Sequence, residues 1–285
     1  MHQISDPGYL MDSEFPAGLK KCLYEADGMS LYFEAITIFS SKEIKRTEDG
    51  HWYIGHYNHE IFCDDKGLVF SKEEDFYVQE GKDLETFIYG TADAEKTLYG
   101  KDGEFKEGLF DDNGELLLDN AIAYETKKIE RDKRALGPMW RLANLYVVQK
   151  NISKAQELLE ECVDVAPDFC WAWHDLSEIS ADLGKYELAI DELNEAASQT
   201  DQNYLKGHFY SKAAVHGLRN NDEKNRIKYA TMTIEHDKDF VNQLIKSVKE
   251  ELQKGGDIDI ERTKEILLAV APRNIIALDF IKNHT

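Results

Sequence analysis

Three alanines, Ala121, Ala155 and Ala189, stand 34 residues apart, and each lies in a stretch with apolar residues at helical spacing. Ala121 leads into Ile122-Ala123-Tyr124, Ala155 is followed by Leu158 and Leu159, and Ala189 by Ile190 and Leu193. Leu142 recurs as Leu176 and Met139 as Trp173 at the same interval. A fixed period of this length constrains the fold more than any local propensity. Each period is a pair of antiparallel helices that cannot bury its apolar face alone, so pairs must stack on their neighbours to build one continuous core. The small residues let two helices approach closely, and the large ones fill the groove between neighbouring pairs.

Met139, Leu142, Ala143, Tyr146, Ala155, Leu159 and Pro167 in one period, and Trp173, Leu176, Gly184-Lys185-Tyr186, Ala189, Leu193 and Ala196 in the next, resemble the tetratricopeptide (TPR) repeat. A degenerate third repeat carries Phe209, Ala213, Asn225 and Tyr229, displaced by two extra residues in the preceding loop. The resemblance covers roughly residues 119–240, with 241–253 and 259–283 expected as capping helices. It implies a binding solenoid whose concave face carries Trp140, Asn144, Trp171, His174, Glu178 and Tyr210. Exposed aromatics there suit peptide or protein docking, while the same positions also suit packing between repeats. The constellation by which some TPR domains clamp a C-terminal carboxylate is missing, since Trp140 occupies a slot where Lys is expected.

Composition changes near residue 118. Residues 1–118 hold 11 Lys and Arg against 26 Asp and Glu, and 18 of the 31 aromatic residues, which favour strands. The sequence therefore divides into an acidic α+β domain, 1–118, and an all-α TPR-like solenoid, 119–285. In the first domain Gly18–Ala26 has a helical apolar face. Runs at Tyr32–Phe39, Trp52–Tyr57, Glu60–Cys63, Gly67–Phe70 and Asp75–Gln79 read as closely spaced strands of an antiparallel sheet, with Asp64-Asp65-Lys66-Gly67 as a hairpin turn. A second helix is expected from Asp83, as N-cap, to Tyr89.

Phe15-Pro16, Leu23, Asp27-Gly28, Trp52-Tyr53-Ile54-Gly55, the run Glu60–Phe70 and Leu84–Ile88, in that order, resemble the SUKH superfamily over residues 15–90. That family is known from bacterial immunity proteins, so the resemblance implies neutralisation of a cognate toxin by direct binding. The charge of the first domain agrees with this independently, because an acidic surface steers a basic, nuclease-type toxin onto itself. Asp64, Asp65, Glu73, Glu74 and Asp75 are the acidic candidates for that interface, or else form a solvated turn and strand end.

The net charge of −21 disfavours nucleic acid and anionic membranes as partners. Four cysteines without a CxxC pair suit a reducing compartment, and no run approaches a membrane span, so a cytoplasmic protein is expected. His56, His59 and Cys63, with His51 nearby, lack a known zinc spacing, and Asp111-Asp112-Asn113-Gly114 reads as a turn and not a calcium loop. No phosphate-loop, dinucleotide, zincin or hydrolase-elbow motif occurs. We therefore expect no catalysis, cofactor or metal, although an acid/base pair assembled only in space would escape a motif search. The expected function is protein binding: an immunity protein against a basic toxin, or alternatively a TPR scaffold or co-chaperone-like adaptor.

Overall fold

The computed structural model describes residues 15–25, 27–31, 36–73, 76–100, 102–256 and 258–284. They form an antiparallel sheet region followed by a long run of helices, and the chain divides into two compact units at Leu158/Leu159.

In the first unit, α1 (Ala17–Glu25) precedes β1 (Met29–Leu31), β2 (Ile36–Ile38), β3 (Lys45–Arg46), β4 (Trp52–Tyr57), β5 (His59–Cys63), β6 (Val69–Glu73) and β7 (Phe76–Gly81). The sheet order is β1-β2-β4-β5-β6-β7, with β3 also beside β4, and every pairing is antiparallel. Alternation puts Ile54, Ile61 and Val69 on one face, where Leu19 and Leu23 of α1 and Leu84 and Phe87 pack. The β5–β6 turn forms because the Asp64 carboxylate accepts the N–H groups of Lys66 and Leu68, both at 2.9 Å, while Gly67 supplies φ +89°.

Helix α2 (Leu84–Leu98) begins where expected, the Asp83 carboxylate accepting the Thr86 N–H at 2.6 Å. It runs past Tyr89 because Ala94 and Leu98 continue its buried face, and Gly90 presents bare backbone to the next helix, beside the Lys128 carbonyl. The glycine-containing segment beyond it packs: Leu109 is buried in the same core, and Asp111 closes a turn by accepting the Asn113 and Glu115 N–H groups.

Helices α3 (Leu118–Arg131) and α4 (Leu136–Val148) join this unit: α3 packs on α2, and α4 on α3 and β7. A buried charge cluster fastens them. The Arg141 guanidinium donates to both oxygens of Glu80 at 2.7 Å and to Glu125 at 3.3 Å, while Ser71 donates to Glu80 at 2.8 Å. Burial alone would raise the Glu80 carboxyl, but Arg141 holds it down to about 2. Gly137 leaves room for this pair, since a Cβ there would collide with Glu80 Oε1. Lys128, its pKa lowered by burial, lies 3.4 Å from Glu125 and over the rings of Tyr57 and Tyr124. Both tyrosines donate to Glu95, whose carboxyl burial raises. The compact units therefore divide later in the chain than the composition does.

Helix α5 (Ile152–Val165) carries the division. The second unit continues with α6 (Cys170–Asp182), α7 (Tyr186–Ser198), α8 (Asn203–Arg219) and α9 (Glu223–His236), each packed on the next. Ala189, Leu193, Phe209 and Ala213 are fully buried, as their place in the period requires. Helices α10 (Phe240–Gln253), α11 (Ile260–Val270) and α12 (Ile275–Asn283) follow, α11 packing on α8 and α9. The expected 259–283 helix is interrupted around Pro272, after which Asn274 caps α12 by accepting the Ile276 and Ala277 N–H groups.

Arg141→Leu strands a buried carboxylate, so it is expected to destabilise the first unit by about 3–5 kcal/mol in urea unfolding, with Glu80→Gln added to it recovering part of the loss. In the second unit, burial lifts the Glu192 carboxyl to about 7, against a hydrogen bond from Ser180. The folded state then keeps a proton that the unfolded state releases above the ordinary glutamate value of 4.5, so stability falls between about pH 4.5 and 7 and stays lower above. Glu192→Gln is expected to raise the melting temperature at pH 8 but not at pH 4; an equal rise at both would exclude this titration as the cause.

Candidate functional site

In the second unit a cleft of about 530 Å³ lies among α6, α8 and α11. Lys212 of α8, one 34-residue repeat after Glu178 of α6, donates to it at 2.7 Å, and Arg262 of α11 reaches the other Glu178 oxygen at 3.0 Å. Burial by itself would raise the Glu178 carboxyl, but the neighbouring Lys212 ammonium brings it down to about 2. Arg219 of α8 makes a forked pair with Glu265 of α11, at 2.7 and 2.6 Å. Burial lowers the imidazoles of His208 to about 3 and His216 to about 4, so both are neutral at physiological pH.

Beside this charged ladder stands an aromatic cluster. The Trp171 ring meets His174 and Phe209 edge-on, at 5.4 and 5.7 Å between centroids, and His174 lies 5.7 Å from His208. The His174 ring nitrogen Nδ1 is 2.8 Å from the Asp175 carboxylate. Aromatic rings next to paired charges make a surface suited to recognising a polypeptide segment.

The structure thus brings together Trp171, His174 and Glu178. Tyr210 is placed differently: its ring is stacked 6.1 Å from Tyr229, packing α8 against α9. Trp140 and Asn144 belong to the first unit, where the Trp140 ring lies 6.4 Å from Phe76 and the Asn144 amide donates to the Trp140 carbonyl at 3.2 Å. Of the acidic candidates, Asp64 braces its own turn, and Asp65 accepts from the Trp52 indole at 3.0 Å and from Arg46 at 2.8 Å. Glu73 lies 3.8 Å from His59. Glu74 and Asp75 lie outside the described residues.

Sequence reasoning missed Lys212, His208, His216, Arg219 and Arg262. Stepping 34 residues from His174 and Glu178 reaches His208 and Lys212 directly, whereas Arg262 follows no such period. It also missed an aromatic array on the sheet face opposite the core. There Tyr53, Phe62 and Tyr77 stand in series, 5.2 Å apart at each step, with Phe39 edge-on to Tyr53 and His51 stacked 4.1 Å from Tyr77. His51 and His56 are engaged with these rings and Cys63 is buried; among the described residues no group of three potential metal ligands assembles. Nor is any described helix long and apolar enough to cross a membrane.

A tetratricopeptide-repeat family model matches residues 138–169. Among solved structures, the chain is similar to MamA at 18% identity, with a TM-score of 0.42, over 59% of this chain and 90% of that one. It is also similar to YrrB, described as a TPR protein with an unusual peptide-binding site, at 16% identity, with a TM-score of 0.38, over 58% of this chain and 84% of that one. For Pseudomonas aeruginosa pilF the values are 12%, 0.41, 59% and 81%. No curated protein sequence matches the chain.

The Glu178 geometry carries a prediction. Its folded-state carboxyl titrates below the ordinary glutamate value of 4.5, so its stabilisation is complete above that pH and lost as pH falls toward about 2. In Lys212→Met the Glu178 midpoint, followed by carboxyl NMR, is expected to move upward and the acid-side loss of stability to shrink. An unchanged midpoint would mean Lys212 does not hold that carboxylate.

Proposed function

We propose that this protein is a non-catalytic adaptor whose helical groove, built from α6, α8 and α11, holds a segment of a partner protein in the cytoplasm. The observation that carries the reading is the charged cleft in which Glu178 meets Lys212, with the Trp171 and His174 rings packed beside Glu178 at its edge. Repeat architecture and groove chemistry both favour polypeptide recognition, and nothing in the cleft requires a reacting group.

The narrower reading is an immunity protein that captures a basic toxin through the first domain. Its support is the concentration of acidic residues before residue 118 and the resemblance of residues 15–90. Against it stands the engagement of Asp64 and Asp65 in bonds within their own unit.

Affinity capture with the full chain separates the two. Under the adaptor reading, Trp171→Ala and His174→Ala should each weaken partner binding at least tenfold while circular dichroism and melting temperature show a folded protein. Charge reversal at Asp64 and Asp65 should leave binding intact. The converse pattern, with capture abolished by high salt, would establish the immunity reading instead.

A further inference from the structure

The last repeat helix leaves an apolar groove uncovered. Ile227, Ala230, Thr231 and Ile234 recur at helical spacing along one face of α9, and Val270 of α11 and Pro272 just beyond it also line the groove, which has a volume of about 840 Å³. Ala230 and Val270 are buried, but Ile227 is 51% exposed and Ile234 36%. In a helix-pair solenoid each pair buries its apolar face on the next, and the terminal element turns a polar face outward. The capping helix here does not. Helix α12 starts at the rim of the groove with Asn274 as its cap and buries Ala277 and Phe280 in the local core. Its other side carries Ile275, 83% exposed, and Leu278, 44% exposed. One turn apart, these two side chains form an apolar ridge of the kind that a helix lays into a groove. A groove and a ridge left open on the same chain are complementary in shape and in polarity.

Their charges match as well. Among the described residues the charged groups of Glu235, Lys238 and Arg273, which line the groove, form no ion pair or side-chain hydrogen bond. On α12, Asp279 and Lys282 flank the ridge, Asp279 held only by the Asn283 amide at 3.2 Å. A ridge seated in the groove therefore offers a carboxylate to Lys238 and Arg273 and an ammonium to Glu235. Two copies of a chain with net charge −21 repel one another overall, so a face on which both signs are present and unmatched is where they approach at least cost.

We propose that this groove is a homodimer site: it receives the Ile275–Leu278 ridge of α12 from a second copy of the chain and gives its own ridge in return. The contact is isologous, made twice about a two-fold axis, because each copy carries both halves. It shares no lining residue with the α6/α8/α11 cleft, so partner binding and self-association use separate surfaces.

The test is sedimentation of the full chain, with two double variants. Ile275→Gln with Leu278→Gln removes the ridge, and Ile227→Gln with Ile234→Gln removes the groove wall; all four positions are exposed, so circular dichroism and melting temperature are expected to stay at wild-type values. The wild-type chain is expected to sediment as a dimer below about 100 μM, and each variant alone to dissociate at least tenfold more readily. An equimolar mixture of the two variants keeps one intact ridge facing one intact groove, so it is expected to associate more tightly than either variant alone and less tightly than wild type. A monomeric wild-type chain, a dimer indifferent to both variants, or a mixture no tighter than its components would each overturn the proposal. A monomer whose capture of another protein is lost with Ile227 and Ile234 would likewise overturn it, giving the groove to a different occupant.

Discussion

The ion pair between Glu80 of β7 and Arg141 of α4 governs the architecture of the first half of the chain. A carboxylate with 5% of its side chain exposed cannot stand alone without a cost of several kcal/mol, so the strand that carries it is stable only with the helix that carries its partner. That requirement draws α3 and α4 onto the sheet unit, although their apolar spacing is that of the repeats that follow. Ser71, Glu125 and Lys128 add further polar contacts around the pair, and the Tyr57 and Tyr124 rings cover Lys128. The cluster is tightly specified by shape: even Gly137 is fixed by it, since any side chain there would meet Glu80.

Much of the fold is legible in the sequence because it rests on local chemistry. The Asp64–Gly67 turn, the Asp83 cap and strands such as β4 are written in neighbouring residues, and Ala189, Leu193, Phe209 and Ala213 reveal themselves by period. The boundary at Leu158 is not legible this way, because it depends on a pair separated by 61 residues whose members look like ordinary surface charges. Gly90 misleads for a related reason. It reads as a helix end, yet a neighbouring helix close against it makes the missing side chain an advantage.

The candidate site divides in the same manner. Trp171, His174 and Glu178 follow from repeat geometry, and Lys212 lies on the same register. Tyr210 shows the limit of that logic: an aromatic on a repeat helix serves the seam as readily as the groove, and the Tyr210 ring stacks against Tyr229 of the next helix. Arg262 comes from α11, beyond the regular period, so its arrival at Glu178 is a property of the three-dimensional path alone. The aromatic array on the sheet illustrates another limit, because alternation identifies two faces of a strand without saying which one the helices cover.

The Glu178–Lys212 pair joins equivalent positions of consecutive repeats with opposite charge, and Arg262 extends the alternation as a second cation on the same carboxylate. The solenoid is therefore periodic in shape but ordered in charge. Copying one 34-residue repeat in place would set glutamate beside glutamate, and deleting one would remove a partner from a half-buried cation.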